Sequence, residues 1–174
     1  MSSSRASTRQ RGCSVPQPLP EPEFDELYRE IILDHYRTPR NRGELPVPPA
    51  RHAEGHNPLC GDEISVFLDV EQENGVDVVS DVKVTGQGCS ISQSSASMMS
   101  QAIKGKTVPE VRALVRKFKG MMSIETDGDE PAADVPLGDL EALQGVVKFP
   151  VRIKCATLAW NTLMQALDTP VDAV

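Results

Sequence analysis

The stretch ISVFLDVEQENGVDVVSDVKV, residues 64–84, reads as a β-hairpin. Ile64, Val66, Leu68 and Val70 fall on one face, the period-2 pattern of a half-buried strand. Asn74-Gly75 follows, and both central residues of a tight hairpin turn need positive φ, which Asn and Gly tolerate best. The return strand places Val76, Val78, Val82 and Val84 on one face, with Ser80 interrupting. It runs into GQGCS, residues 86–90, where Gly86 and Gly88 permit a sharp bend.

On both sides of the hairpin the pattern turns helical. Upstream, Phe24, Leu27, Tyr28, Ile31, Ile32 and Tyr36 follow helical spacing, and Thr38-Pro39 ends the run. Residues 38–63 read as a loop. Downstream, SISQSSASMMSQAIKG (90–105) spaces Ile91, Met98, Met99, Ala102 and Ile103 as one helical face and closes at Gly105. TVPEVRALVRKFKG (107–120) opens with a Thr107/Glu110 capping box and carries Val111, Leu114, Val115 and Phe118. Residues 120–147 hold seven acids and no base, so their middle reads as a solvated acidic loop, followed by a short helix over LGDLEAL (137–143). A last helix is expected to start after Pro150 and run to about Leu167, with Ile153, Trp160, Leu163 and Leu167 inward. A helix, an antiparallel hairpin and several more helices make an α+β fold, a small antiparallel sheet with helices packed on it.

The 174 residues suit one domain. Residues 1–22, rich in Ser, Arg and Pro, read as a disordered tail that contains Cys13. Residues 23–170 form the domain and 171–174 a C-terminal tail. Aromatics are only 4%, so aliphatic residues and methionine must build the core. A net charge of −7 argues against nucleic acid as a partner. No apolar stretch is long enough to span a membrane, and no signal-peptide core opens the chain. A cytoplasmic protein with reduced thiols is expected, in which four cysteines serve as ligands, nucleophiles or core filler.

Three of them stand at special places. Cys60 lies in NPLCGD (57–62), two residues before Asp62, so a thiol and a carboxylate share one turn. Cys89 is expected at the strand-to-helix junction and Cys155 in the first turn of the last helix, where the helix dipole favours a thiolate. Three thiolates and one carboxylate would make a closed tetrahedral Zn²⁺ set with net charge −2. Their wide spacing equally fits buried cysteines that bind nothing. Arg152 and Lys154 flank Cys155, either as stabilisers of sulfur charge or as solvated cations. His56 is near enough in sequence to reach a metal, but a loop histidine is more often a surface residue. The serines after Cys89 have no Gly-x-Ser-x-Gly elbow and read as small packing residues.

The blocks LYREIILDHYRTPRNRG, NPLCGD, GQGCSISQSSASMMSQAIKGK and LGDLEALQGVVKFPVRIKCATLAW together resemble the IscU/NifU N-terminal-domain family, and within it the SufU branch. The resemblance spans residues 24–167. Lys154 stands where Isc-type scaffolds carry a histidine before the third cysteine, and a long segment separates the helix after Cys89 from Cys155, as in SufU-type proteins. The resemblance implies a metal site of Cys60, Asp62, Cys89 and Cys155 binding Zn²⁺. It also implies sulfur transfer from a SufS-type, pyridoxal-phosphate-dependent cysteine desulfurase, one of whose histidines would replace Cys60 on the metal. Cys60 would then be the persulfide acceptor, Arg152 a charge stabiliser, and downstream SUF scaffold components the recipients. In enzyme terms this is a zinc-dependent sulfurtransferase. The alternative is a scaffold on which a [2Fe–2S] cluster is assembled on the same ligands.

Overall fold

The computed structural model describes residues 22–126 and 134–171. The tail with Cys13, the middle of the acidic loop and the last three residues lie outside them. The order is α1 (Pro22–Arg37), β1 (Arg51–Asn57), β2 (Asp62–Glu73), β3 (Val76–Gln87), α2 (Ser90–Ile103), α3 (Val108–Met121), a 3₁₀ helix (Gly138–Lys148) and α4 (Pro150–Asp168). The expected α+β architecture is found: a three-stranded antiparallel sheet, β1-β2-β3, with helices against it.

The Asn74-Gly75 turn takes φ of 51° and 80°, and β2 and β3 pair from Glu73↔Val76 outward. The return strand does not keep a single apolar face. Val70 pairs with Val79 but Asp69 with Asp81, so Ser80 is an inserted bulge residue whose hydroxyl donates to the Asp69 carbonyl. The bulge shifts the alternation: Val79, Val82 and Val84 are buried, whereas Val76 is exposed and Val78 half-buried.

The stretch expected to be one long loop contains β1. Its sequence, RHAEGHN, has a single aliphatic residue, yet it pairs with β2 from Arg51↔Leu68 to Asn57↔Asp62. At Gly55 its main chain approaches α4 closely, where a Cβ would run into Thr162 Oγ1, while His52 stacks on Phe67 of β2 at 4.4 Å between ring centroids. The opposite edge, β3, is covered by residues 41–43, with Val84 N–H donating to Asn41 O (2.9 Å) and Gly43 N–H to Val84 O (3.2 Å). Covering an edge in this way blocks stray strand pairing.

Beneath the sheet lie α2 and α4. Trp160 of α4 stacks on Phe118 of α3 at 4.3 Å between ring centroids and donates its indole N–H to Ser95 Oγ of α2 (3.1 Å). Ser95 Oγ in turn donates to Ala156 O (2.6 Å), which is why small hydroxyl residues face α4 on this helix. Met98, Met99 and Ile103 fill the core as expected, and the Thr107/Glu110 capping box starts α3. On α1, Tyr28, Ile31 and Ile32 pack on the core, while Leu27 and Tyr36 are exposed. The residue that anchors this helix is His35, whose Nδ1 lies 2.8 Å from Ser97 Oγ and whose Nε2 lies 3.0 Å from Asp139 Oδ2. The expected short helix after the acidic loop is a longer 3₁₀ segment that buries Leu140, Ala142, Leu143 and Val146. Among the described residues no helix is long and apolar enough to cross a membrane.

Candidate metal centre

One end of the sheet gathers the cysteines. The turn from β1 to β2 is held by Asn57: its Oδ1 accepts from Leu59 N–H (3.2 Å) and its carbonyl from Cys60 N–H (3.3 Å). This fold of the chain leaves Cys60 half-buried at the tip and delivers Asp62 into the interior, where it is fully buried at the start of β2. The end of β3 closes over that carboxylate. Gly88 has φ +154°, and a Cβ there would strike Asp62 Oδ1 and Ser92 Oγ, so only glycine lets the strand pass. Cys89 N–H then donates to Asp62 Oδ1 (2.9 Å). Cys89 is the N-cap of α2, its sulfur accepting from Ser92 N–H at 3.5 Å, as its place at the junction suggested.

Cys155 is not in the first turn of α4. The helix starts at Pro150, which puts Cys155 in its second turn, beyond the part of the helix where the terminal field is strong. Its thiol is fully buried, 3.2 Å from Cys60 Sγ and 3.9 Å from both Asn57 Nδ2 and the Val151 carbonyl. Burial pushes the Cys155 thiol well above its usual range, reinforced by the Cys60 and Asp62 contacts and by the charges of Cys89 and Asp62. Arg152, one turn earlier on α4 and exposed, faces two thiols. Its guanidinium is held charged more firmly still by Cys89 first and Cys155 second.

Donor atoms of Cys60, Asp62 and Cys155 all lie within 4.8 Å of one another. The Cys89 sulfur falls outside that mutual set, 3.9 Å from Asp62 Oδ2. Two sulfurs bonded at about 2.3 Å to one tetrahedral ion stand about 3.8 Å apart, so the 3.2 Å Cys60–Cys155 pair needs only a small opening. A carboxylate and a thiol buried side by side, with Asn57 and the Cys89 N–H as their polar neighbours, is a costly arrangement without a cation. The donor set therefore fits a small thiophilic divalent ion.

His56 is not part of the group; it is exposed and faces Glu63 at 3.7 Å. Lys154 points to solvent. Asn57, which sequence reasoning passed over, is the buried polar residue that ties the Cys60 turn to Cys155. The Asn-Pro start of NPLCGD marks a turn, but nothing in the sequence joins that amide to a sulfur 98 positions away.

A family model for the NifU-like N terminal domain matches residues 27–156. The zinc-dependent sulfurtransferase SufU of Bacillus subtilis is 48% identical over 140 residues, 80% of this chain and 88% of that protein. The iron–sulfur cluster assembly scaffold protein IscU of Streptococcus pyogenes is 38% identical over 151 residues, 87% of this chain and 89% of its own. A crystal structure of a candidate iron–sulfur cluster assembly scaffold for the SUF system, from Fervidobacterium islandicum, is similar with a TM-score of 0.67 and 33% identity, covering 80% of this chain and 95% of that one.

Proposed function

The chain belongs to the family of NifU-like N-terminal domains, and from that footing we propose that it serves iron–sulfur cluster assembly as a zinc-dependent sulfur acceptor. Its sulfur comes from a SufS-type, pyridoxal-phosphate-dependent cysteine desulfurase and passes on to downstream SUF scaffold components. The observation that carries this reading is the convergence of Cys60, Asp62 and Cys155, of which only Cys60 sits on an accessible turn. Cys60, Asp62, Cys89 and Cys155 are the proposed ligands. Cys89 would complete the set by a side-chain rotation from its present place beside Asp62. A bound Zn²⁺ keeps its thiols deprotonated and shielded from oxidation.

The chain's own residues divide the work. Asp62 is fixed by the Cys89 N–H, and Cys155 by α4, so neither leaves the interior without moving a packed element. Cys60 moves with its turn alone. Its thiolate attacks the outer sulfur of a donor Cys–S–SH; that S–S bond breaks, the donor cysteine leaves as thiolate, and Cys60 ends as a persulfide with no net redox change. Arg152, exposed and already beside two thiols, offsets the charge that gathers there. A reducing, cytoplasmic setting suits the three unpaired thiols among the described residues.

Mass spectrometry after incubation with desulfurase and L-cysteine, with metal quantified in parallel, tests the assignment. One added sulfur is expected on Cys60. Cys60→Ala should accept none while keeping part of its zinc, and Cys155→Ala should lose both. Sulfur found on Cys89 or Cys155 with Cys60 unmodified overturns the role of Cys60. Purified protein should be colourless with one zinc; a brown protein holding iron and sulfide would support the [2Fe–2S] scaffold reading, in line with the streptococcal relative described as an iron–sulfur cluster assembly scaffold.

A further inference from the structure

Next to the cysteines, α1, the 3₁₀ helix and the start of α4 leave an open groove of about 780 Å³. Tyr28, Ile32, Ile91 and Val146 give it an apolar lining. Three cations, Arg29, Lys148 and Arg152, stand in its walls, and among the described residues no carboxylate does, although the whole chain is acidic at −7. Arg29 and Lys148 make no salt bridge among the described residues. At one end Ser90 and Arg152 connect the groove to the Cys89 and Cys155 thiols. There the surface continues as exposed apolar side chains: Phe149 is 62% exposed, Val151 63% and Leu59, next to Cys60, 73%. An apolar surface of this kind beside a reactive group marks a site of association.

We propose that this groove docks the sulfur-donor protein through a surface segment that carries apolar side chains between carboxylates. The inference rests on the sulfur-relay reading. Charge complementarity selects the occupant: three positive side chains over an apolar floor attract an acidic, partly apolar segment. The chain's own N-terminal stretch, which has Arg5, Arg9 and Arg11 and no acid before Glu21, carries the wrong sign. A second copy seated by two-fold symmetry would set the same cations against each other. Continuity with Leu59 and Val151 brings a donor docked there to Cys60, which a groove on another face would not do.

The test uses the full chain loaded with zinc. The double reversal Arg29→Glu/Lys148→Glu changes two groove cations, and Phe149→Ser removes an exposed ring; Lys119→Glu on α3 is the control. Binding to a SufS-type cysteine desulfurase is measured by titration calorimetry across a salt series, and sulfur loading of Cys60 is measured separately with glutathione persulfide as a small donor. The double reversal should weaken desulfurase binding about tenfold and flatten its salt dependence, with Phe149→Ser weaker as well and Lys119→Glu unchanged. Loading from glutathione persulfide should match the wild type in every variant. Binding by both groove variants within twofold of the wild type overturns the groove. Weakened binding in a protein whose wild type takes no sulfur from either donor leaves the groove standing and overturns the sulfur-relay reading instead. Tight self-association of the wild type that the double reversal abolishes would assign the groove to a second copy, and overturn the donor segment.

Discussion

At the scale of single residues, Asn57 does more than its place in a turn requires. One amide holds the Leu59 N–H and approaches the Cys155 sulfur, while the carbonyl of the same residue holds the Cys60 N–H. Asn57→Ala removes both side-chain contacts inside a buried site. It should cost about 1–2 kcal/mol in urea unfolding and speed zinc loss to a chelator. Asn57→Asp sets a carboxylate beside a sulfur ligand and should release zinc faster than Asn57→Ala; zinc held as long as in the wild type would sink the idea. The site was partly legible beforehand. Cys60 and Asp62 announce themselves by sharing one turn, and Cys89 by following two glycines at the end of a strand. Asn57 was hidden because its role exists only where α4 crosses the turn. Cys155 was placed one turn too early, because Pro150 already begins the helix.

At the scale of elements, the strands show where apolar alternation misleads. β1 was invisible because its sequence carries one aliphatic residue, Ala53, and its close approach to α4 depends on the bareness of Gly55 against Thr162. β3 was visible but misfaced, because the Ser80 bulge changes which valines point inward. The two valines at opposite ends of that error make the check. Val79→Ala removes buried methyl groups and should cost on the order of 2 kcal/mol in urea unfolding, whereas Val76→Ala, at an exposed position, should stay within about 0.5 kcal/mol. Equal costs would show the bulge to be misplaced. The hairpin turn, the capping box and the methionine face of α2 were legible because each depends on residues within a few positions of one another.

At the scale of the whole molecule, the candidate ligands stand on three separate parts of the chain: the β1–β2 turn, the β3–α2 junction and α4. An ion held there acts as a cross-link, and a structural zinc site is worth on the order of 10 kcal/mol, comparable to the stability of a domain. Chelator-treated protein should therefore melt at a markedly lower temperature, read by circular dichroism with zinc loss confirmed by metal analysis. An unchanged melting curve would show that the sheet and helices hold the site without it. The separation of 95 positions from Cys60 to Cys155 also fixes an order of events during synthesis. A ribosome releases the chain from its N-terminal end, so Cys60, Asp62 and Cys89 emerge long before Cys155. A nascent chain can offer the cell's metal pool only an incomplete claw, and the full site can close only once α4 has emerged and docked.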